Sequence, residues 1–229
     1  MKQAMFAIAL TLAGIQAAAA GGFHSWGKLA KHKKTEFYAL SYKALEGGKP
    51  GSKKAYVSLS EGTRYFADRR IPLDGIKEGD EIWVYGSLRE TEGRTPEGTS
   101  FVDRQLSNTQ VVLLGEGYPT LTPAASKDAV GWRRATVIRN GGSLTVSLGG
   151  EYKVSCTRDV VILQRAALEE APELKKKLLA EVRGETGGER PEKAKDDEVG
   201  VRATQVVLLD PKAAGAYGFL LPPEEAPSQ

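Results

Sequence analysis

The sequence predicts a mainly β fold consisting of two small barrels in tandem, and three observations carry that expectation. The hexamer Thr109-Gln110-Val111-Val112-Leu113-Leu114 recurs 95 residues later as Thr204-Gln205-Val206-Val207-Leu208-Leu209. Each copy ends a segment opened by a tryptophan, Trp26 in the first and Trp132 in the second, at separations of 83 and 72 residues. Between these landmarks the chain is a series of short alternating apolar runs punctuated by glycine, the pattern of strands and tight turns rather than of helices.

In chain order, residues 1–20 read as a secretory leader. Lys2 supplies the positive region, residues 4–15 are apolar, and Ala17 to Ala20 offer small side chains for cleavage. That apolar stretch falls short of the roughly 20 residues needed to span a bilayer, and no cysteine follows it to take a lipid. The expected destination is the periplasm or the extracellular space, with no integral membrane segment after cleavage. The first barrel is then assigned to residues 21–117. It opens on a strand around Trp26, turns through a basic bend, and runs through Thr35 to Tyr42. A loop at residues 47–52 leads to a third strand at residues 55–59. Leu73-Asp74-Gly75-Ile76-Lys77-Glu78-Gly79-Asp80 supplies a short helix or turn before the fourth strand, Glu81-Ile82-Trp83-Val84-Tyr85.

Residues 118–127, rich in proline, threonine and alanine, form the expected linker, and the second barrel is assigned to residues 128–211. Asn140-Gly141-Gly142 and Gly149-Gly150 are hairpin turns that join three strands into a meander. Tyr152, Val154 and Cys156 share one face, which makes Cys156 an inward structural thiol. Residues 168–177 are good helix formers. Residues 178–183 favour helix by local propensity but strand by correspondence with residues 81–85. Residues 184–198 read as a solvated charged loop, residues 199–209 as the last strand, and residues 212–229 as a mobile proline- and glutamate-containing tail. Each barrel is expected to fold as an independent fragment.

Three strands, a short helix or turn, a strand, a long loop and a closing strand is the element order of an OB-fold barrel. The chain resembles uncharacterised secreted bacterial proteins with tandem OB-fold-like modules, whose Lys-x-Gly-Asp turn before the fourth strand corresponds here to Lys77-Glu78-Gly79-Asp80. The second copy lacks the Gly-Asp pair. An SH3-like barrel or a small open sandwich is the structural alternative.

Composition limits the chemistry. Of 229 residues only His24 and His32 are histidine and only Cys156 is cysteine, so no disulfide can form within the chain. No metal-ligand spacing, nucleophile elbow or phosphate loop is present, and no catalytic residue, metal or cofactor is assigned. Net charge is +3, or +2 once Lys2 leaves with the leader, too balanced for a dedicated nucleic-acid binder. Two local features remain. Lys28, Lys31, Lys33 and Lys34 can contact an anionic polymer or guard a β-edge from unwanted pairing. Trp83 and Tyr85 point away from the core if Ile82 and Val84 point into it, and such a pair stacks on bases or sugars or packs against a partner. The expected function is a non-enzymatic exported binding or assembly module whose partner is another extracytoplasmic protein. Binding of an anionic polymer, nucleic acid or polysaccharide, is the alternative, and a hydrolase comes third. Oligomeric state is not legible.

Overall fold

The computed structural model describes residues 22–32, 35–46, 49–119, 121–141, 143–174 and 177–220. Residues 1–20, expected as a leader, Lys33, Lys34, Gly47, Gly48 and the residues beyond 220, expected within a tail, lie outside the described residues. The protein is mainly β, 60% strand against 6% helix among the described residues, as the alternating pattern requires. The strands are β1 Gly22–Lys31, β2 Tyr38–Glu46, β3 Lys49–Ser58, β4 Arg64–Arg70, β5 Glu81–Arg94, β6 Ser100–Gly115, β7 Gly131–Asn140, β8 Leu144–Ser147, β9 Glu151–Ala167, β10 Leu178–Thr186 and β11 Val199–Leu208. The helical residues among those described form two 3-10 segments, Leu73–Gly75 and Pro211–Phe219.

The chain divides into two compact units. One holds the residues up to Asp68 together with those from Ala167 onward, and the other is the continuous stretch Arg69–Ala166. Neither unit follows the repeat boundaries at 21–117 and 128–211. Each takes its first three strands from one copy of the repeat and its last two from the other.

In the discontinuous unit, β1 pairs with β2 and β2 with β3, all antiparallel. β3 then pairs in parallel with β11, β11 pairs antiparallel with β10, and β10 returns to β1. The core confirms this grouping from the side chains. Leu29, Leu40 and Val57 of the first repeat pack in one buried cluster with Ala180, Val182 and Val206 of the second. β4 adds to this unit by pairing in parallel with the end of β11.

The continuous unit repeats the same circuit with the copies interchanged. β7, β8 and β9 form the expected meander, β9 pairs in parallel with β6, β6 antiparallel with β5, and β5 returns to β7. Ile82, Val84 and Val112 of the first repeat share a buried cluster with Val137, Val146 and Ile162 of the second. The turn before β5 forms as the sequence predicts. Gly79 takes φ 88°, a left-handed value natural to glycine, and the Asp80 carboxylate accepts from the Lys77 backbone N–H at 2.7 Å. The Asn140 amide fixes the preceding 3-10 turn by donating to the carbonyls of Leu73 at 2.7 Å and Ile76 at 2.8 Å.

The two hexamers lie where strands are covered on both faces. Val111, Val112, Leu113 and Leu114 are all buried, as are Val206, Val207 and Leu209. Their inward parity nevertheless differs, with Val112 and Leu114 in one core and Val206 in the other. The change of face lies in β11, whose inward residues pass from Val201 and Ala203 to Val206 across a register shift against β10 between Arg183 and Gly184, whereas Leu106, Val112 and Leu114 of β6 keep one parity. The change is tolerated because neither face of the hexamer is solvated.

Several segments differ from their sequence expectation. Residues 168–174 form no helix. Four charged or proline positions interrupt the segment, and only Leu174 is buried there, so it lacks an apolar stripe to hold a helix against the core. Leu178–Thr186 is a strand because Ala180 and Val182 alternate into the core. Lys49–Ser52, expected within a loop, pairs with Lys43–Glu46 and extends the hairpin. The strand Arg64–Arg70 is not legible in a run so rich in arginine. Residues 212–219, expected in the tail, pack within the 3-10 helix Pro211–Phe219 with Ala213, Ala216 and Tyr217 buried, and the Tyr217 ring lies 6.3 Å from that of Trp26. The linker is also packed, since Leu121 is buried and Tyr118 lies over the Arg165 guanidinium at 4.1 Å.

Candidate ligand-binding cleft

The long loop expected between the fourth and fifth strands of the first repeat is instead a two-stranded arm. β5 and β6 stay in antiparallel register from Ser87↔Ser107 out to Arg94↔Ser100. The arm is closed by a tight connection in which the backbone N–H groups of Thr95 and Gly98 donate to Thr99 and Thr95 carbonyls at 2.9 Å each. β6 pairs with β9 only from Gln105↔Lys153 onward, and β7 contacts β5 only as far as Glu81–Gly86. The arm therefore runs past the strands that flank it.

A cleft of about 650 Å³ opens where β6 leaves β9. The arm contributes Phe101, Val102, Asp103 and Arg104. Opposite lie Arg139 at the end of β7, Thr145 on β8, and Glu151 and Lys153 on β9. Phe101 is 49% exposed and Val102 44%, unusually open for large apolar side chains. Phe101 takes this position because its cross-strand partner is Gly93. A Cβ there would sit 2.5 Å from the ring's Cζ, so the ring lies over bare backbone.

The cleft has three cations, Arg104, Arg139 and Lys153, against two carboxylates, Asp103 and Glu151. Asp103 accepts from the Gln105 amide at 2.8 Å. Arg104 donates to Glu90 at 3.3 Å, which also accepts from the Tyr152 hydroxyl at 2.6 Å and meets Lys127 at 3.7 Å. The Tyr152 hydroxyl, with Lys127 and Arg104, holds the Glu90 carboxyl below the usual carboxylate range. Arg139 and Lys153 have no ion-pair partner among the described residues, which leaves their charge available to a ligand. The lining contains no histidine or cysteine. Burial pushes the Cys156 thiol up, away from a reactive thiolate. Among the described residues no three His, Cys, Asp or Glu side chains gather closely enough to hold a metal ion.

The residues singled out in the sequence sit elsewhere. Trp83 and Tyr85 lie on the face of β5 opposite Ile82 and Val84 and are half-buried, with Tyr85 meeting Trp132 edge-on at 5.2 Å. Lys28 and Lys31 are exposed on β1, in the other unit, and Lys33 and Lys34 lie outside the described residues. Protein-family models and curated proteins give no match to this chain. What the cleft can hold follows from its shape and charge. Phe101, Arg104, Arg139 and Lys153 escaped the sequence reading because each comes from a different strand or a segment without periodicity, and only the pairing brings them together.

No helix among the described residues is long and apolar enough to cross a membrane. A second polar cluster occupies β1 and β10 of the discontinuous unit. There the buried Glu181 carboxylate meets His24 Nε2 at 2.9 Å and accepts from Arg183 Nε at 2.6 Å. A buried carboxylate needs such partners merely to be tolerated, so this cluster reads as structural.

Proposed function

We propose that this protein is an exported, non-enzymatic binding module built from two OB-type barrels, and that its continuous unit takes an anionic chain polymer in the cleft beside the arm. The barrel reading is supported by the pairing circuits. In each, the first strand neighbours the second and fourth, the third neighbours the second and fifth, and the third and fifth are parallel. OB-folds bind oligonucleotides and oligosaccharides on strands two and three and the loops around them. In the continuous unit those are β8, β9 and the β5–β6 arm.

The observation that carries the ligand reading is the placement of Arg139 and Lys153, without ion-pair partners, opposite an exposed Phe101. Cations take the charged groups of the polymer while the aromatic face stacks on a base or sugar ring. Export rests on the leader at residues 1–20. Fluorescence anisotropy with a labelled single-stranded oligonucleotide and a labelled heparin oligosaccharide tests the reading. Affinity should fall with rising salt, and Arg139→Glu with Lys153→Glu should weaken it about tenfold or more. Binding indifferent to both would overturn it.

A second reading is favoured by the exposure of Phe101 and Val102, which also suits an extracytoplasmic protein partner docking on the arm. In that case Phe101→Ser abolishes association while added salt does not.

A further inference from the structure

In the discontinuous unit, the strand positions that frame the open cleft of the continuous unit hold a different arrangement. The third strand is β3, with Lys53, Lys54 and Tyr56, the first, β1, ends one residue before His32, and the fifth, β11, is preceded by Asp197 and Glu198. Here the space is filled by the chain itself. Lys54 Nζ donates to Glu198 Oε1 at 3.0 Å and to the Tyr56 hydroxyl at 3.4 Å. The His32 ring meets Tyr56 edge-on at 5.4 Å, and Lys53 Nζ lies 3.8 Å from Asp197. Glu198, expected in a solvated loop, is only 7% exposed.

The connection that carries these acids is held largely by other bonds. Arg190 donates to the carbonyls of Lys195 at 3.1 Å and Glu198 at 2.8 Å, and the Gly188 N–H donates to Gly200 at 3.2 Å. Glu198 uses its second oxygen to accept from the Lys195 N–H at 3.0 Å. Each pair sets an open side chain against a covered one, Lys54 at 38% exposed against Glu198 at 10%, and Asp197 at 62% against Lys53 at 14%. The two contacts are therefore not alone in holding the connection, and each leaves one partner within reach of solvent. They place two adjacent carboxylates of an acidic run, Asp196-Asp197-Glu198, against two lysines, a tyrosine and a histidine.

We propose that Lys53, Lys54, Tyr56 and His32 form a second binding site, for an acidic polypeptide segment, and that Asp197 and Glu198 occupy it in the free protein. The chain's own acids stand in for the ligand and set a threshold that an external segment must exceed. The inference shares the strand equivalence of the two OB-type barrels but not the cleft's ligand. Its test is run with the cleft disabled, so that the two fail separately.

In an Arg139→Glu, Lys153→Glu background, anisotropy is measured with a fluorescein-labelled hexaglutamate peptide. Adding Asp197→Asn and Glu198→Gln, which keep the shape and the Lys195 contact, should tighten binding at least tenfold. A further Lys53→Gln and Lys54→Gln should abolish it. Unchanged affinity in the Asn/Gln variant overturns the proposal, and so does a gain that survives loss of the lysines. A gain for heparin with none for the peptide also overturns it, since the site then belongs to another polymer. Should the quadruple variant fail to fold, the wild-type protein serves. Hexaglutamate must then shift the Lys54 side-chain NMR resonances saturably, and no shift at any accessible concentration contradicts the assignment.

Discussion

Val112→Ala distinguishes an exchange of strands from a simple tandem array. Val112 belongs to the first repeat, is fully buried, and lies in the core cluster shared with Val137, Val146 and Ile162. Truncation removes two buried carbons, about 1.6 kcal/mol of transfer free energy at ~0.8 per methylene. The residual cavity raises the cost to about 2–3 kcal/mol. Hydrogen exchange followed by mass spectrometry reads where that cost falls. Amides of β7, β8 and β9, which belong to the second repeat, should lose protection by roughly 30- to 160-fold. Amides of β2 and β3 should change far less, although they belong to the same repeat as Val112. Val206→Ala, in the other core cluster, should reverse the pattern. Loss of protection in β2 and β3 on Val112→Ala, with β8 and β9 unaffected, would refute the reasoning.

Two further outcomes follow from local geometry. Gly115→Ala forces a Cβ to 2.1 Å from the Arg165 carbonyl oxygen at φ 100°, whereas Gly79→Ala at φ 88° meets nothing within 4 Å. Thermal denaturation should show a loss of about 1 kcal/mol for Gly79→Ala and clearly more for Gly115→Ala, and equal losses would contradict the close approach. Tyr152→Phe removes the main cause of the lowered Glu90 pKa. A carboxyl whose folded pKa is depressed stabilises the fold above its unfolded pKa, and that contribution is lost as pH falls through the folded value. In Tyr152→Phe the carboxyl NMR titration of Glu90 should move up toward the ordinary range, and an unmoved titration would show that the hydroxyl does not control it.

Much of the architecture is legible in the residues themselves. Four consecutive apolar side chains require cover on both faces, and the hexamers have it. Gly-rich turns locate the β7–β9 meander, and Lys77 to Asp80 form the expected turn. Which copy closes which circuit is not legible, because the two hexamers are identical and local sequence says nothing about the partner of a parallel strand. The arm was hidden for a different reason. Residues 89–104 carry no period-2 apolar pattern, since both faces are solvated, and only cross-strand pairing makes them strand. Residues 168–177 show the opposite case, with helix propensity but no packing to secure a helix. The cleft inherits both difficulties, because its cations come from β6, β7 and β9 and converge only through the exchanged pairing.

The most direct test of that exchange is the behaviour of fragments. Residues 69–166 alone span the end of one repeat and the start of the next, yet contain a complete circuit and its core. Expressed alone, this fragment should be monomeric, β by circular dichroism, and should unfold cooperatively in urea. A disordered 69–166 beside a monomeric, cooperatively folded 21–117 would contradict the account.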